Sequence, residues 1–107
     1  SMAVAATQTQ NLWIPWSEEK MKAETQHPVF VDFTAEWCLT CKVNKKLVLE
    51  TSGFDQLRSK YNLVSMRADW TKRDDNITRF LKEHGAVGVP AYFIQQTDGK
   101  LISLGET

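Results

Sequence analysis

The segment FTAEWCLTCK, residues 33–42, contains both cysteines of the 107-residue chain, Cys38 and Cys41. It overlaps the end of PVFVDF (28–33), a nearly continuous apolar run that predicts a buried central strand. From Cys38 to about Glu50 the sequence favours a helix, so both cysteines are predicted at the start of a helix that follows a strand. Residues three apart on a helix lie on one side, with Cα atoms in the range of about 4.4–6.8 Å that a disulfide bridges.

This position predicts a reactive thiol. The free N–H groups and the positive end of the helix dipole stabilise an anion, and the thiolate is the nucleophile in disulfide exchange. Cys38 is therefore predicted to attack a partner disulfide, and Cys41 to resolve the mixed disulfide. Trp37 would lie beside the exposed sulfur as a flat contact surface. The alternative is that both cysteines are small buried hydrophobes, but the strand–helix context is the one in which C-x-x-C indicates a redox motif.

Asp32 interrupts the apolar run six residues before Cys38. Burial would raise the pKa of its carboxyl group and make it a proton carrier, which predicts that Asp32 accepts the proton of Cys41. The alternative is an aspartate that faces solvent or caps a turn.

Pro90 precedes the strand AYFIQQ. A cis Val89–Pro90 bond would leave the backbone groups of Val89 free to pair with an incoming peptide. From the residues alone a trans bond is favoured, because cis is the minority state of X–Pro bonds.

The remaining segments predict the element order β, α, β, α, β, α, β, β. LWIPW (12–16) has the proline of an edge strand, Gly53 is expected to break the helix that begins at Cys38, and Asp98-Gly99 marks a final hairpin. This order predicts an α/β domain with a central mixed sheet flanked by helices over residues 12–107. Residues 1–11 are predicted to be a disordered tail with an expression remnant at Ser1-Met2, and a final helix is expected to be missing from the chain.

Composition excludes several classes of function. Thirteen basic residues balance thirteen acidic ones, so no overall field favours nucleic acid or an anionic membrane. No apolar run reaches the length of a transmembrane helix, and the first residues do not resemble a signal peptide. Two cysteines, with His27 and His84 at unpaired spacing, do not predict a zinc site. We predict no cofactor and no metal.

FTAEWCLTCK, the aspartate six residues before the first cysteine, and the Gly-Val-Pro ending at Pro90 together resemble the thioredoxin superfamily. The resemblance covers roughly residues 12–107 and implies the thioredoxin fold. It also implies that Cys38 is the nucleophile, Asp32 the buried acid and Pro90 a cis proline.

VDFTAEWCLTCKVNKK and RADWTKRD are similar to the periplasmic C-terminal domains of membrane-embedded thiol:disulfide interchange proteins. That resemblance implies a monomeric relay domain, which takes two electrons from the transmembrane domain of its own protein and passes them to the N-terminal domain, which reduces periplasmic partner disulfides. The alternatives are a free-standing cytosolic thioredoxin-type reductase, an oxidase or isomerase, and a binding module with incidental cysteines. The Leu39-Thr40 spacer, where a thioredoxin has Gly-Pro, argues against the first of these.

Lys45 departs from the pattern of these domains, which often have an acid four residues after the second cysteine. A nearby lysine is expected to lower the thiol pKa, where an acid would raise it. The segment ADWTKRD (68–74) shares the resemblance without a role that the sequence explains.

Overall fold

The computed structural model of the chain describes residues 12–105. The predicted tail, 1–11, and residues 106–107 lie outside the described residues. In the described part, five strands form one mixed sheet in the order β1-β3-β2-β4-β5. Their bounds are β1 Trp13–Pro15, β2 Val29–Thr34, β3 Val64–Asp69, β4 Ala91–Gln95 and β5 Leu101–Gly105.

The helices between these strands begin at well-capped positions. They are α1 Glu18–Ala23, α2 Leu39–Asn44, a π-helical segment Lys45–Leu49, α3 Ser52–Tyr61 and α4 Asp75–Glu83. The side chain of the residue before each α-helix accepts a backbone N–H bond from the first turn, and these caps are Ser17, Cys38, Thr51 and Asp74. None of the helices within residues 12–105 is long and apolar enough to cross a membrane.

The strand pairing confirms the predicted mixed sheet. β1 and β2 pair with β3 in parallel, while β4 pairs antiparallel with both β2 and β5. β2 is the central strand and all six of its residues are buried, as its apolar run predicted. The hairpin between β4 and β5 has Gly99 at a φ of 88°, a conformation that glycine adopts without a Cβ clash.

The two faces of β2 pack against different helices because side chains alternate along a strand. Val29, Val31 and Phe33 face a core that includes Met21 of α1 and the apolar stripe of α4, which comprises Ile77, Phe80 and Leu81. Phe30 packs on the opposite face with residues of the π segment, α3 and β4, namely Leu49, Phe54 and Tyr92. Asp32 alternates in step with Phe30, so its side chain is directed to the face that α2 and α3 cover.

The helix after Cys38 ends near Glu50, as predicted, but the expectation that Gly53 is the residue that breaks it is wrong. The helix continues through a π segment to Leu49, and Thr51 caps a new ten-residue helix that contains Gly53 in its first turn. The hydroxyl of Thr51 accepts the N–H of Phe54 at 3.3 Å. A glycine near a helix start is tolerated when a strong cap precedes it, because the cap satisfies an otherwise free N–H group.

Candidate active site at the start of helix α2

Cys38 and Cys41 form a disulfide at the start of α2, with Cα atoms 5.3 Å apart. Cys38 is the N-cap residue, and its sulfur accepts a hydrogen bond from the backbone N–H of Cys41 at 3.1 Å. Cys38 retains 7% of its surface and Cys41 1%, so Cys38 is less exposed than expected but is the more accessible of the two. The arrangement suits attack at Cys38 from outside, with Cys41 held behind it.

A short turn connects β2 to this helix. The backbone N–H of Cys38 donates to the carbonyl of Ala35 at 3.1 Å, and the N–H of Lys42 then donates to the carbonyl of Cys38 at 3.3 Å. The turn reverses the chain within four residues of the end of β2. The cysteine pair therefore lies at the carboxyl end of the central strand, where α/β sheets bind ligands.

The Val89–Pro90 peptide bond is cis, as the family resemblance implied and against the preference of the residues alone. Val89 packs against the small cluster formed by Ala35, Cys38 and Cys41. The loop before β4 is thus brought to the disulfide from more than 45 residues away along the chain. The structure therefore places the predicted contact residue Val89 at the cysteine pair, and the neighbouring Pro90 is buried.

Asp32 is buried, with 1% of its surface exposed. One carboxylate oxygen, Oδ2, accepts a hydrogen bond from Arg67 Nε at 2.9 Å, so the acid has an ion-pair partner that the sequence did not reveal. Among residues 12–105 the other oxygen, Oδ1, has no hydrogen-bond partner. Burial raises the pKa of Asp32 from its ordinary value, and the positive charges of Arg67 and Lys45 offset part of that rise.

Arg67 connects this acid to the outer part of the site. Its guanidinium lies 4.0 Å from the ring centroid of Trp13, and Nη1 is 3.6 Å from Glu50 Oε1, just beyond the π segment. Asp32 and Arg67 are direct partners in the parallel β2–β3 register. In the sequence, Arg67 is only one residue of an alternating strand, and that pattern does not predict which residue its side chain contacts.

Tyr92 lies on the other side of Asp32, as its partner in the antiparallel β2–β4 pairing. Its hydroxyl oxygen accepts a hydrogen bond from Asn44 Nδ2 of α2 at 2.9 Å. Burial raises the pKa of the Tyr92 hydroxyl, and the charge of Asp32 raises it further. Sequence reasoning missed both Tyr92 and Asn44, because their contact joins positions 48 residues apart.

Trp37 is 62% exposed beside the cysteine pair, as predicted. Its ring centroid lies 6.4 Å from that of Trp70, and its indole N–H donates to the backbone carbonyl of Thr71 at 3.2 Å. Leu39, just after Cys38, is 76% exposed, and Val87 near the cis peptide is 95% exposed. Trp37 and Leu39, which flank Cys38 in the sequence, are therefore large apolar side chains exposed next to the candidate nucleophile.

Comparison with known proteins assigns the family. The model of a family described as thioredoxin-like matches residues 12–96. The chain belongs to the thioredoxin-like family. The prediction of a thioredoxin fold is confirmed.

Among curated proteins, this thioredoxin-like chain is 29% identical over 79 residues to the thiol:disulfide interchange protein DsbD of Neisseria meningitidis serogroup A, covering 74% of this chain. It is also 29% identical over 75 residues to DsbD of Campylobacter jejuni, covering 67% of this chain. The chain spans about 13% of the length of these relatives. The predicted resemblance to an interchange-protein domain is confirmed.

Solved structures agree on the fold. The oxidised C-terminal domain of Neisseria meningitidis DsbD superposes with a TM-score of 0.64 at 23% identity, covering 97% of this chain and 82% of that chain. Oxidised mitochondrial thioredoxin 3 of Saccharomyces cerevisiae gives a TM-score of 0.59 at 20% identity, covering 88% of this chain and 82% of that chain.

Lys45, the residue at which this thioredoxin-like chain departs from the expected acid, lies at the start of the π segment. Its positive charge lowers the pKa values of both Asp32 and Asp69. The positive charge of Lys45 therefore favours the ionised form of both carboxyl groups. Single π-helical turns occur frequently at functional sites.

One group of side chains in the described part of the chain has the geometry to hold a metal ion. Potential ligand atoms of Glu18, Glu83 and His84 all lie within 4.8 Å of one another. Glu18 already pairs with Lys22 at 3.1 Å, and Glu83 and His84 are exposed. The group includes neither cysteine, and the redox chemistry of the site needs no ion because the two sulfur atoms carry the electrons.

Proposed function

We propose that this domain is a thiol:disulfide oxidoreductase, which relays two electrons by dithiol–disulfide exchange from a membrane-embedded donor domain to periplasmic partner proteins. The observation that carries this function is the Cys38–Cys41 disulfide at the N-terminus of α2, with Cys38 the more exposed of the two cysteines. Thiol:disulfide interchange is also the activity in the names of the relatives.

In the reduced domain, Cys38 reacts first. The Cys38 thiolate attacks one sulfur of the partner disulfide, the partner S–S bond breaks, and the departing partner sulfur takes up a proton. A mixed disulfide now joins Cys38 to the partner. The thiolate is stabilised by the N-terminus of α2, where the N–H of Cys41 is directed to the Cys38 sulfur.

Cys41 then completes the exchange. It loses its proton and attacks the Cys38 sulfur, which re-forms the domain disulfide and releases the second partner sulfur as a thiol after protonation. The domain loses two electrons and the partner disulfide gains them. The same steps in reverse, with the donor domain as reductant, reduce the Cys38–Cys41 disulfide to two thiols again.

Asp32 is the proton acceptor for Cys41 in this scheme. A buried carboxyl group with a raised pKa holds a proton more readily than one in water, which suits a group that takes up and returns a proton. Its ion pair with Arg67 leaves Oδ1 without a partner among the described residues. That oxygen is the atom available to receive the proton, directly or through a water molecule.

Trp37 and Val89 form the contact surface for the partner in this scheme, and the buried Pro90 supplies the cis peptide bond that follows Val89. Val89 packs on the cysteine pair and Trp37 is largely exposed beside it, so a partner segment that reaches Cys38 would contact both. A small surface of this kind suits a transient complex. The domain acts as a monomer, and its periplasmic location and its donor and acceptor domains are inferred from the resemblance to DsbD-type proteins.

The reduction potential of the Cys38–Cys41 pair tests this function. The domain would be equilibrated in defined dithiothreitol or glutathione buffers and its thiols counted after alkylation. We expect a reducing value near the thioredoxin end of the scale, about −270 mV. A value of about −120 mV, which is that of a strong oxidant, would instead indicate that the domain forms disulfides in its partners. If no disulfide formed, the exchange function would be wrong.

A further inference from the structure

The turn formed by Asp69, Trp70 and Thr71 lies directly against the segment that leads into Cys38. The backbone N–H of Glu36 donates to Thr71 Oγ1 at 2.9 Å, and the indole N–H of Trp37 donates to the backbone carbonyl of Thr71 at 3.2 Å. One residue of this turn thus holds the two residues that precede Cys38. These contacts join positions 34 and 35 residues apart in the sequence.

Asp69 holds Thr71 in the orientation that these contacts require. Its Oδ1 accepts the backbone N–H of Thr71 at 2.9 Å and also accepts the hydroxyl proton of Thr71. A hydroxyl has one proton and two lone pairs, so Thr71 Oγ1, having donated to Asp69, presents a lone pair to Glu36. Donors and acceptors linked in such a chain strengthen one another. The hydroxyl of Thr71 also lowers the pKa of Asp69, which keeps the acceptor ionised.

The turn is itself anchored to the central strand. The backbone N–H of Trp70 donates to the carbonyl of Thr34 at 2.7 Å, at the last residue of β2. The chain from Thr34 to Cys38 is consequently fixed at its start by β2, at Glu36 and Trp37 by Thr71, and at Cys38 by the carbonyl of Ala35.

From these contacts we infer that Asp69 and Thr71 are positioning residues for the nucleophile. They hold the turn before α2 so that Cys38 stays in the N-cap position, where its sulfur accepts the N–H of Cys41. This role rests on the proposed exchange function. It also gives a role to two residues of the segment ADWTKRD, to which the sequence alone assigns no mechanism.

The test compares Thr71→Val with Thr71→Ser in the reduced domain. Valine matches the shape of threonine and removes the hydroxyl, whereas serine keeps it. The rate constant of Cys38 with glutathione disulfide and the thiol pKa of Cys38, from thiolate absorbance, would be measured along with the stability of each variant. One neutral hydrogen bond corresponds to a rate change of about three- to tenfold. We expect Thr71→Val to slow the reaction by that factor and raise the Cys38 pKa, and Thr71→Ser to restore both.

Thr51→Val is the matched control, because Thr51 caps α3 and likewise uses its hydroxyl in two hydrogen bonds. It is expected to lower stability and leave the Cys38 rate constant and pKa unchanged. Asp69→Ala is the second variant. Asp69 is exposed, so this change should leave the fold intact even if Thr71→Val does not fold, and it is expected to slow the reaction similarly.

The outcomes separate the two proposals. If the unaltered domain fails to react with glutathione disulfide at all, the exchange function is wrong. If the unaltered domain reacts and the foldable variants of Thr71 and Asp69 react at the same rate with the same Cys38 pKa, the positioning role is wrong. A loss of stability alone, as in Thr51→Val, would assign the turn to folding and would also overturn the inference.

Discussion

Replacing Asp32 with asparagine is expected to stabilise the oxidised domain at neutral pH. Asparagine has the shape of aspartate, and its carbonyl oxygen can accept the 2.9 Å hydrogen bond from Arg67 Nε. The change removes a negative charge from a side chain that is 1% exposed. Burial outweighs the attraction of Arg67, since the net effect on the pKa of Asp32 is a rise. The charged carboxylate therefore opposes folding.

The expected gain in the free energy of unfolding is about 1–3 kcal/mol. The neutral amide that takes the place of Oδ1 is still without a partner among the described residues, but a neutral polar group costs less to bury than a charged one. For a domain of this size each kcal/mol corresponds to a rise of about 4–8 °C in Tm. Arg67 is 23% exposed, so water solvates part of the charge that loses its partner. The free-energy cost of leaving Arg67 without a charged partner should therefore be smaller than the cost of the buried charge that Asp32→Asn removes.

The direction of the pKa shift of Asp32 determines how the stability gain of Asp32→Asn depends on pH. The pKa of Asp32 is raised above its ordinary value of 3.8 on folding, so the native state binds a proton that the unfolded state has already lost. Stability falls as pH rises wherever the native state binds more protons. The advantage of Asp32→Asn should be absent below the unfolded pKa, appear as pH rises through the folded pKa, and stay constant above it.

Urea denaturation of both oxidised proteins at several pH values from about 4 to 9 would measure this difference. The substitution Glu19→Gln, at an exposed carboxylate, is the control and should not reproduce the pH-dependent gain. An Asp32→Asn protein that is less stable than the unaltered protein at pH 8 would refute the reasoning. It would mean that the ion pair with Arg67 stabilises the fold by more than the burial of Asp32 costs.

Three further experiments test the site and the core. Cys41→Ser should accumulate a mixed disulfide with glutathione at Cys38, which mass spectrometry would detect. Cys38→Ser should react with glutathione disulfide more slowly, by a factor of roughly ten or more, because Cys41 is 1% exposed. Equal reaction rates of the two variants would contradict the assigned roles. Lys45→Glu should raise the thiol pKa of Cys38, measured from thiolate absorbance at several salt concentrations, because it reverses a charge that acts on nearby carboxylates. The exposed neighbour change Lys46→Glu is its control, and identical shifts in the two would show that only net charge matters. Phe33→Ala should lower the free energy of unfolding by about 3–5 kcal/mol, because this ring is fully buried among other aromatic rings; a loss below about 1 kcal/mol in urea denaturation would show that the core closes the space.

Local patterns in the sequence were enough to predict most of the fold. The buried central strand and the Asp98-Gly99 hairpin both depend on residues within one element or turn. The failure at Gly53 has a local cause of another kind. A weak helix former near a helix start was interpreted as a stop, although the preceding Thr51 is a strong cap.

By itself, the sequence determined the chemistry of the site. Two cysteines three residues apart, at the point where a strand passes into a helix, predict their own pairing, because a helix brings such positions together without help from the rest of the chain. The burial of Asp32 could likewise be predicted from the apolar residues on either side of it.

Only the tertiary structure decided what surrounds that chemistry. Arg67 hydrogen-bonds to Asp32, Glu36 hydrogen-bonds to Thr71, and Val89 packs against the cysteine pair. These contacts depend on strand register and on loops between distant elements. Register follows from the packing of whole faces, since a shift by one residue would turn every side chain of a strand to the opposite face. No local pattern around these residues specifies a partner 35 positions away, so these contacts became visible only in the folded chain.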